Sequence, residues 1–235
     1  MSEAEKTTMD EARALVSDRA LWPLVRDFLW DFAPQIHASW LADVFGHETA
    51  DARRGQVLSP VSSLSSSIRV KKFILSSLGV KPFFHDFPRD DMSRLALLDG
   101  STLDSIVKWL GALACADELR RVTSGATVRE LKAALPGVYP EVFSFTAYFT
   151  GLGLAAENAK DVKPPEKVAA AGLGLLFALS GAWPAPVAER LKLKLPRNLC
   201  DLCGPFGDKE RPAAGVAVKK LLKLKFPEAY SLCCS

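Results

Sequence analysis

The amino-acid sequence predicts an all-α protein, folded as a single compact domain of several helices, and three observations indicate this class. Apolar residues recur at intervals of three and four along most of the chain, which is the spacing of one helix face. Residues that start and stop helices separate these stretches. Apolar and charged residues alternate, as in a strand, only at 190–195, where a lone strand would have no partner. We therefore expect at most a minor extended segment.

The composition is that of an ordinary globular protein. Of the 235 residues, 49% are hydrophobic and 24% are charged. The net charge of +3 is too small to indicate a nucleic-acid partner, but residues 1–60 carry −4 and residues 189–235 carry +5. This asymmetry either steers a charged partner or lets the two ends of the chain pack together, and the second interpretation is favoured.

The first helical stretch follows a polar N-terminal segment. Residues 1–12 are acidic, without the basic start and apolar centre of a signal peptide, so we expect a disordered tail, a cytoplasmic protein and reduced cysteines. Helical spacing then runs over 10–31, with a start or kink at Pro23, and again over 35–44.

The next segment, 46–67, is polar and serine-rich, and it predicts a loop inside the domain of residues 13–235. A short helix is predicted over 69–78. Gly79 and Pro82 follow it as residues that end helices.

The central block, 97–121, has the clearest helical pattern of the chain. Its cap is predicted at Ser101 or Thr102, whose side chains can accept a bond from an early backbone N–H. Gly111 lies in mid-helix, where it costs about 0.5–1 kcal/mol relative to alanine. We expect a close helix crossing there. The apolar face consists of Leu103, Ile106, Val107, Leu110, Leu113 and Ala114.

A capping box at Thr127–Glu130 predicts the next helix, which should end at 135–137. The 21 uncharged residues of 168–188 approach the length of a membrane span, but Pro184 and Pro186 would break such a helix. The segment 167–180 is therefore interpreted as a buried core helix, followed by a helix over 186–195.

The last helix, 214–226, is amphipathic. Its apolar stripe consists of Ala214, Ala217, Val218, Leu221 and Leu222. Lys219, Lys220 and Lys223 lie on the opposite side. We expect the stripe to dock on the core with the lysines in water, and a membrane-surface or partner-binding role is the alternative.

Motifs of enzymes are scarce. The sequence has no phosphate-binding loop, dinucleotide fingerprint, zinc-protease motif or hydrolase elbow. His37, His47 and His85 lie far apart, and no catalytic or cofactor-binding residue is predicted.

Four cysteines have a spacing that partly fits a metal site. Cys200, Cys203, Cys233 and Cys234 are enough thiolates for tetrahedral zinc. Adjacent cysteines fit separate tetrahedral positions poorly, and a second C-x-x-C is missing. No metal site is predicted, and a zinc- or thiol-dependent enzyme stays an alternative.

The end of the central block resembles a known family. The run W-L-G-A-L-A-C-A-D-E-L-R-R, followed by T-V-R-E-L-K-A-A-L, is similar to the signature of the SctK family, also called YscK, MxiK or OrgA proteins. Further similarities are F-A-P at 32–34 before Ile36-His37 and Trp40-Leu41, R-L-K-L-K-L-P at 190–196, and the terminal basic helix. The signature residues are Leu110, Gly111, Leu119, Arg120 and Arg121.

This resemblance covers about residues 30–230 and implies a helical, non-catalytic adaptor of a bacterial type III secretion system. Members of the family join the cytoplasmic domain of the inner-membrane ring protein (SctD) to the pod protein (SctQ), which leads to the ATPase and its regulator (SctL). The resemblance implies a cytoplasmic location at the inner-membrane face, with no nucleic acid, cofactor or membrane insertion. The partner-binding residues that we predict are Arg120, Arg121, Lys219, Lys220 and Lys223.

Overall fold

A computed structural model describes residues 21–45, 67–81, 87, 91–149, 152, 162–203 and 211–234. Every regular element in these ranges is a helix, which confirms the all-α class. The alternating run at 190–195 is helical as far as Leu193, which confirms the helix predicted over 186–195; the extended alternative is wrong. The predicted tail at 1–12, and the loop at 46–67 except its last residue, lie outside the described residues.

The α-helices, numbered along the chain, are α1 (Trp22–Trp30), α2 (Ala38–Phe45), α3 (Ile68–Ser77), α4 (Gly100–Ala114), α5 (Ala116–Arg120), α6 (Gly125–Ala134), α7 (Pro164–Ser180), α8 (Ala185–Leu193), α9 (Arg197–Asp201), α10 (Arg211–Lys225) and α11 (Pro227–Cys234). Short 3-10 helices cover Ala33–Gln35, Asp91–Leu97, Glu141–Ser144 and Thr146–Tyr148.

The chain divides into two compact units. Unit 1 contains Met1–Gly100 and Trp183–Arg197, and unit 2 contains Ser101–Ala182 and Asn198–Ser235. Each unit is therefore built from separate stretches of the sequence. The single domain over residues 13–235 stays a prediction.

Several helix boundaries agree with the sequence patterns. Pro23 lies in the first turn of α1, so it starts the helix and does not kink it. Helix α3 ends at Ser77, and Gly79 follows with a φ of +73°. That left-handed backbone favours glycine, which confirms Gly79 as the residue that ends the helix.

Other boundaries correct the predictions. Helix α4 already begins at Gly100, so Ser101 and Thr102 lie in its first turn and do not cap it. Helix α6 is capped by Ser124, whose hydroxyl accepts a bond from the Thr127 N–H; the predicted cap at Thr127 is therefore wrong. The central block is also interrupted, because the backbone of Cys115 leaves the helical region and separates α4 from α5.

Unit 1 packs its elements around aromatic side chains. Helices α1 and α8 both pack against the 3-10 helix at Asp91–Leu97, and α3 packs against α2. Phe28 and Phe32 are both buried and meet edge to face, with ring centroids 5.4 Å apart. This edge-to-face geometry is the favoured arrangement for aromatic rings.

Unit 2 has α7 as its buried helix. Residues 168–176 and 178–180 of α7 are all buried, which confirms the predicted core helix. It packs against α6 and α10, and the apolar stripe of α10 is buried as predicted. Among the described residues, no helix is long and apolar enough to cross a bilayer.

Helices α4 and α7 cross with their backbones almost in contact. A Cβ atom added to Gly111 would lie 1.8 Å from the Val168 carbonyl oxygen, and one added to Gly172 would lie 1.9 Å from the Val107 carbonyl oxygen. Real Cβ atoms essentially never approach so closely. The close crossing predicted at Gly111 is confirmed, with Gly172 as its counterpart.

Candidate functional site

All five predicted partner-binding residues lie in unit 2, and all five are exposed. Arg120 and Arg121 end α5, whereas the three lysines lie on α10. The structure brings part of this set together through one segment, the pair of 3-10 helices between Glu141 and Tyr148. We call it the 141–148 segment.

Arg120 is bonded within its own unit. Its guanidinium donates to the Thr146 hydroxyl over 2.5 Å and to the Asp117 carboxylate over 3.4 Å. It also lies 5.7 Å from the centre of the Phe143 ring. Arg120 therefore fastens the end of α5 to the 141–148 segment, whereas the side chain of Arg121 forms no hydrogen bond or ion pair with any residue that the structure describes.

The lysines of α10 also differ in whether their side chains are bonded within unit 2. The Lys220 ammonium donates to the Tyr148 carbonyl oxygen over 3.0 Å. The side chains of Lys219 and Lys223 form no hydrogen bond or ion pair within the described part of the chain. The structure thus brings Arg120 and Lys220 to the same short segment and leaves Arg121, Lys219 and Lys223 outside that network.

Exposed apolar side chains lie among these lysines. Val216 is 60% exposed and Leu224 is 48% exposed, and with Lys220 they follow one another at intervals of four along α10. Such residues form one row on a helix surface. We call Val216, Lys219, Lys220, Lys223 and Leu224 the outer face of α10. The exposure of Val216 and Leu224 could have been predicted from the sequence, since both residues fall outside the apolar stripe of the helix.

Lys225 attaches the 141–148 segment to the rest of unit 2. Its ammonium forms an ion pair with the Glu141 carboxylate. It also lies 4.3 Å from the ring centre of Phe145 and 4.7 Å from that of Trp109, which is attractive because each ring presents a negative face. The two rings pack edge to face, with centroids 5.8 Å apart.

Unit 1 contains two buried cations that the sequence did not reveal as such. Arg190 is fully buried, and its guanidinium donates to the carbonyl oxygens of Phe28, Leu29 and Lys81. Lys194 is 2% exposed, and its ammonium donates to the carbonyl oxygens of Ala96 over 2.6 Å and Leu98 over 2.8 Å.

These buried cations satisfy backbone acceptors at the ends of helices. Phe28 and Leu29 lie in the last turn of α1, where carbonyl groups have no partner within the helix. Ala96 lies at the end of the 3-10 helix Asp91–Leu97. A donor in such a place replaces water and complements the negative end of the helix. The role of the R-L-K-L-K-L run is thus structural within unit 1.

Burial lowers the pKa of both groups. It lowers the pKa of Arg190 to about 9. It lowers the pKa of Lys194 to about 7, while nearby Asp99 acts in the opposite direction. The rings of Phe28 and Phe32 offset part of the cost of burial, because the Lys194 ammonium lies 5.2 and 5.8 Å from their centres.

The pKa of Lys194 predicts a pH dependence of stability. Between about pH 7 and 10.5 the unfolded chain binds more protons than the folded one, so the free energy of unfolding should rise with pH. The slope for one group is at most about 1.4 kcal/mol per pH unit. Lys194→Met removes the titrating amine, and with it this pH dependence of the free energy of unfolding. Urea denaturation of both proteins at about pH 6.5, 8 and 9.5 should show the wild type gaining stability relative to the variant. A difference that is independent of pH would contradict the prediction.

All five cysteines are reduced. Cys115, Cys200 and Cys233 are buried, and Cys203 and Cys234 are partly exposed. Burial raises the pKa of the Cys115 thiol to about 12. Within the described ranges no three metal-ligating side chains are grouped so as to hold a metal ion. His37 bonds Ser39 through its ring, whereas His47 and His85 lie outside the described residues.

This burial pattern predicts two classes of thiol. In the native protein a thiol reagent should modify Cys203 and Cys234 quickly, because thiolate formation needs solvent. The three buried cysteines should react only after unfolding. Mass spectrometry of alkylated peptides with and without denaturant measures this difference, and rapid native labelling of Cys115 would contradict it.

One comparison with known proteins relates to the signature residues. The family model described as YOP proteins translocation protein K (YscK) matches residues 30–146, about half of the chain. The match includes Gly111, Arg120 and Arg121, and it excludes α8 and α10. No curated protein and no solved structure is significantly similar to the chain. The resemblance found in the signature residues is thereby confirmed: the chain belongs to the YscK family of type III secretion system proteins.

Proposed function

We propose that the protein is a non-catalytic adaptor of the sorting platform, which links the cytoplasmic domain of the ring protein SctD to the pod protein SctQ. It would act at the inner-membrane face of the apparatus and reach the regulator SctL only indirectly. Membership in the YscK family is the observation that carries the proposal, because this is an accessory family of type III secretion.

The surface of unit 2 supports a role in protein binding. Arg121, Lys219 and Lys223 present charge that forms no ion pair with any described residue. Such charges are available to a macromolecule, and complementary charge accelerates and orients association. Arg120 and Lys220 would hold the adjoining 141–148 segment in place for the same contact.

The membrane-binding alternative gains no support from α10. A helix that lies on a membrane inserts its apolar side. In α10 that side is buried within unit 2, with Ala214, Val218 and Leu222 at 0% exposure. The enzymatic alternative likewise has no specific observation in its favour.

A three-component binding experiment tests the adaptor role. Tagged SctQ is immobilised and presented with the purified cytoplasmic domain of SctD, with and without this protein. We expect the SctD domain to be retained only when this protein is present. Retention of the SctD domain in its absence, or no retention in its presence, would contradict the proposal.

A further inference from the structure

We propose that the outer face of α10 binds an acidic protein surface that presents an apolar side chain among its carboxylates. This inference rests on the proposed function, because the surface would belong to one of the two linked proteins. It adds the chemistry of the contact and assigns it to Val216, Lys219, Lys220, Lys223 and Leu224 with the neighbouring Tyr148.

The charge of α10 is one-sided. Its residues 211–225 include five basic and no acidic side chains. Lys219 and Lys223 are one helical turn apart, and like charges at that spacing repel each other. Lys223 lies in the last turn, where the helix dipole favours a cation, but Lys219 lies in mid-helix and gains little from the dipole. Carboxylates of a bound partner would relieve the repulsion.

The apolar residues of the face make it more than a solvated row of lysines. Val216 and Leu224 lie eight residues apart, about 12 Å along the axis, with Lys220 between them. Tyr148 is 60% exposed, and its carbonyl oxygen accepts a bond from Lys220. Because this bond already restrains the Lys220 side chain, binding would have one fewer side chain to order. Tyrosine is also enriched in protein interfaces.

A protein fits this face better than a membrane does. An interfacial helix presents one continuous apolar side to lipid. On the outer face of α10, by contrast, lysines lie between and beside the two exposed aliphatic residues. Alternation of charged and apolar groups over two turns is complementary to a structured acidic surface.

Charge reversal with a matched control tests the inference. The variant is Lys219→Glu with Lys223→Glu, and the control is Arg129→Glu with Lys132→Glu on α6. Both pairs are exposed, lie in unit 2 and include one residue of a last helical turn. Neither pair forms an ion pair with a described residue. A cooperative thermal unfolding transition in each variant serves as the check that the variant is folded.

Calorimetric titration gives the affinity of each protein for the SctD domain and for SctQ, at about 50 and 200 mM NaCl. We expect the α10 reversal to weaken one of the two affinities at least about tenfold at low salt, and the control to stay within about twofold. Leu224→Ser should weaken the same affinity about three- to tenfold. In the wild-type complex, a carbodiimide should couple Lys219 or Lys223 to an aspartate or glutamate of that partner.

The possible failures are distinguishable. If the wild type binds both proteins and the α10 reversal changes neither affinity, the inference is overturned and the proposed function stands. If the wild type binds neither protein, the proposed function is overturned and the inference falls with it. Cosedimentation with phosphatidylglycerol vesicles covers the membrane alternative. If the α10 reversal abolishes vesicle binding and leaves both protein affinities unchanged, the face serves a membrane, which also overturns the inference.

Discussion

Gly111→Ala should lower the free energy of unfolding by roughly 1–3 kcal/mol, because the new methyl group would meet the backbone of α7. The added Cβ would lie 1.8 Å from the Val168 oxygen and 2.7 Å from its carbonyl carbon. Neither atom belongs to a flexible side chain, so the two helices themselves must separate. Helix propensity alone predicts the opposite sign, a gain of about 0.5–1 kcal/mol. Urea denaturation therefore decides between the two effects.

Gly125→Ala is the matched control. An added Cβ at Gly125 meets nothing within 4 Å, and the residue lies at the start of α6. We expect no loss there, or a gain below about 1 kcal/mol. Combining Gly111→Ala with Gly172→Ala should cost less than the sum of the two, since one separation of the helices accommodates both methyl groups. If Gly111→Ala leaves the free energy of unfolding at or above the wild-type value, α4 and α7 do not cross so closely.

Arg190→Ala should destabilise the protein by about 3–5 kcal/mol, because it removes the donor from two buried carbonyl groups and from a third that is only partly buried. The affected oxygens are those of Phe28, Leu29 and Lys81. Relief from burying a charge offsets part of this loss, as the lowered pKa of Arg190 indicates. The cavity left by this side chain, one of the largest that are fully buried among the described residues, adds to the loss. We therefore expect a net loss, measurable by urea denaturation.

Two further variants isolate the cause. Lys192→Ala lies in the same helix, but its side chain is exposed and stands 5.5 Å from the Trp40 ring, so its cost should stay below about 1 kcal/mol. Arg190→Lys keeps the charge but has a single side-chain nitrogen. That nitrogen cannot donate both to the carbonyls of Phe28 and Leu29 and to that of Lys81, so we expect an intermediate loss of stability. A loss equal to that of Lys192→Ala would show that the bonds of Arg190 contribute little.

The positions of the helices were predictable because they depend on local patterns. Apolar spacing located α4 and α10, an uncharged stretch located α7, and the stripe of α10 is buried as expected. Gly111 also signalled a close crossing, since glycine in mid-helix is costly without a reason. That its counterpart is Gly172, 61 positions later, was not predictable, because it depends on how the helices pack.

Errors arose where tertiary bonds decide the outcome. The run at 190–195 alternates like a strand, yet Arg190 and Lys194 are one helical turn apart and both donate to distant carbonyls. The capping box at Thr127–Glu130 predicted a start at Thr127, whereas the backbone begins the helix at Gly125 with Ser124 as its cap. At the candidate site, exposure of the lysines followed from the pattern, whereas the bonds of Arg120 and Lys220 to the 141–148 segment did not.

The ties of the 141–148 segment bear on how the polypeptide can be dissected. The stretch that matches the YscK model stops at residue 146, yet Lys225 holds Glu141, and Gly111 lies against the backbone of Val168. A fragment cut at that limit would lose both supports, together with α8, the helix that carries Arg190. The end of the family match is therefore not the end of a unit that can fold alone. Shortened versions of the molecule should retain its C-terminal helices.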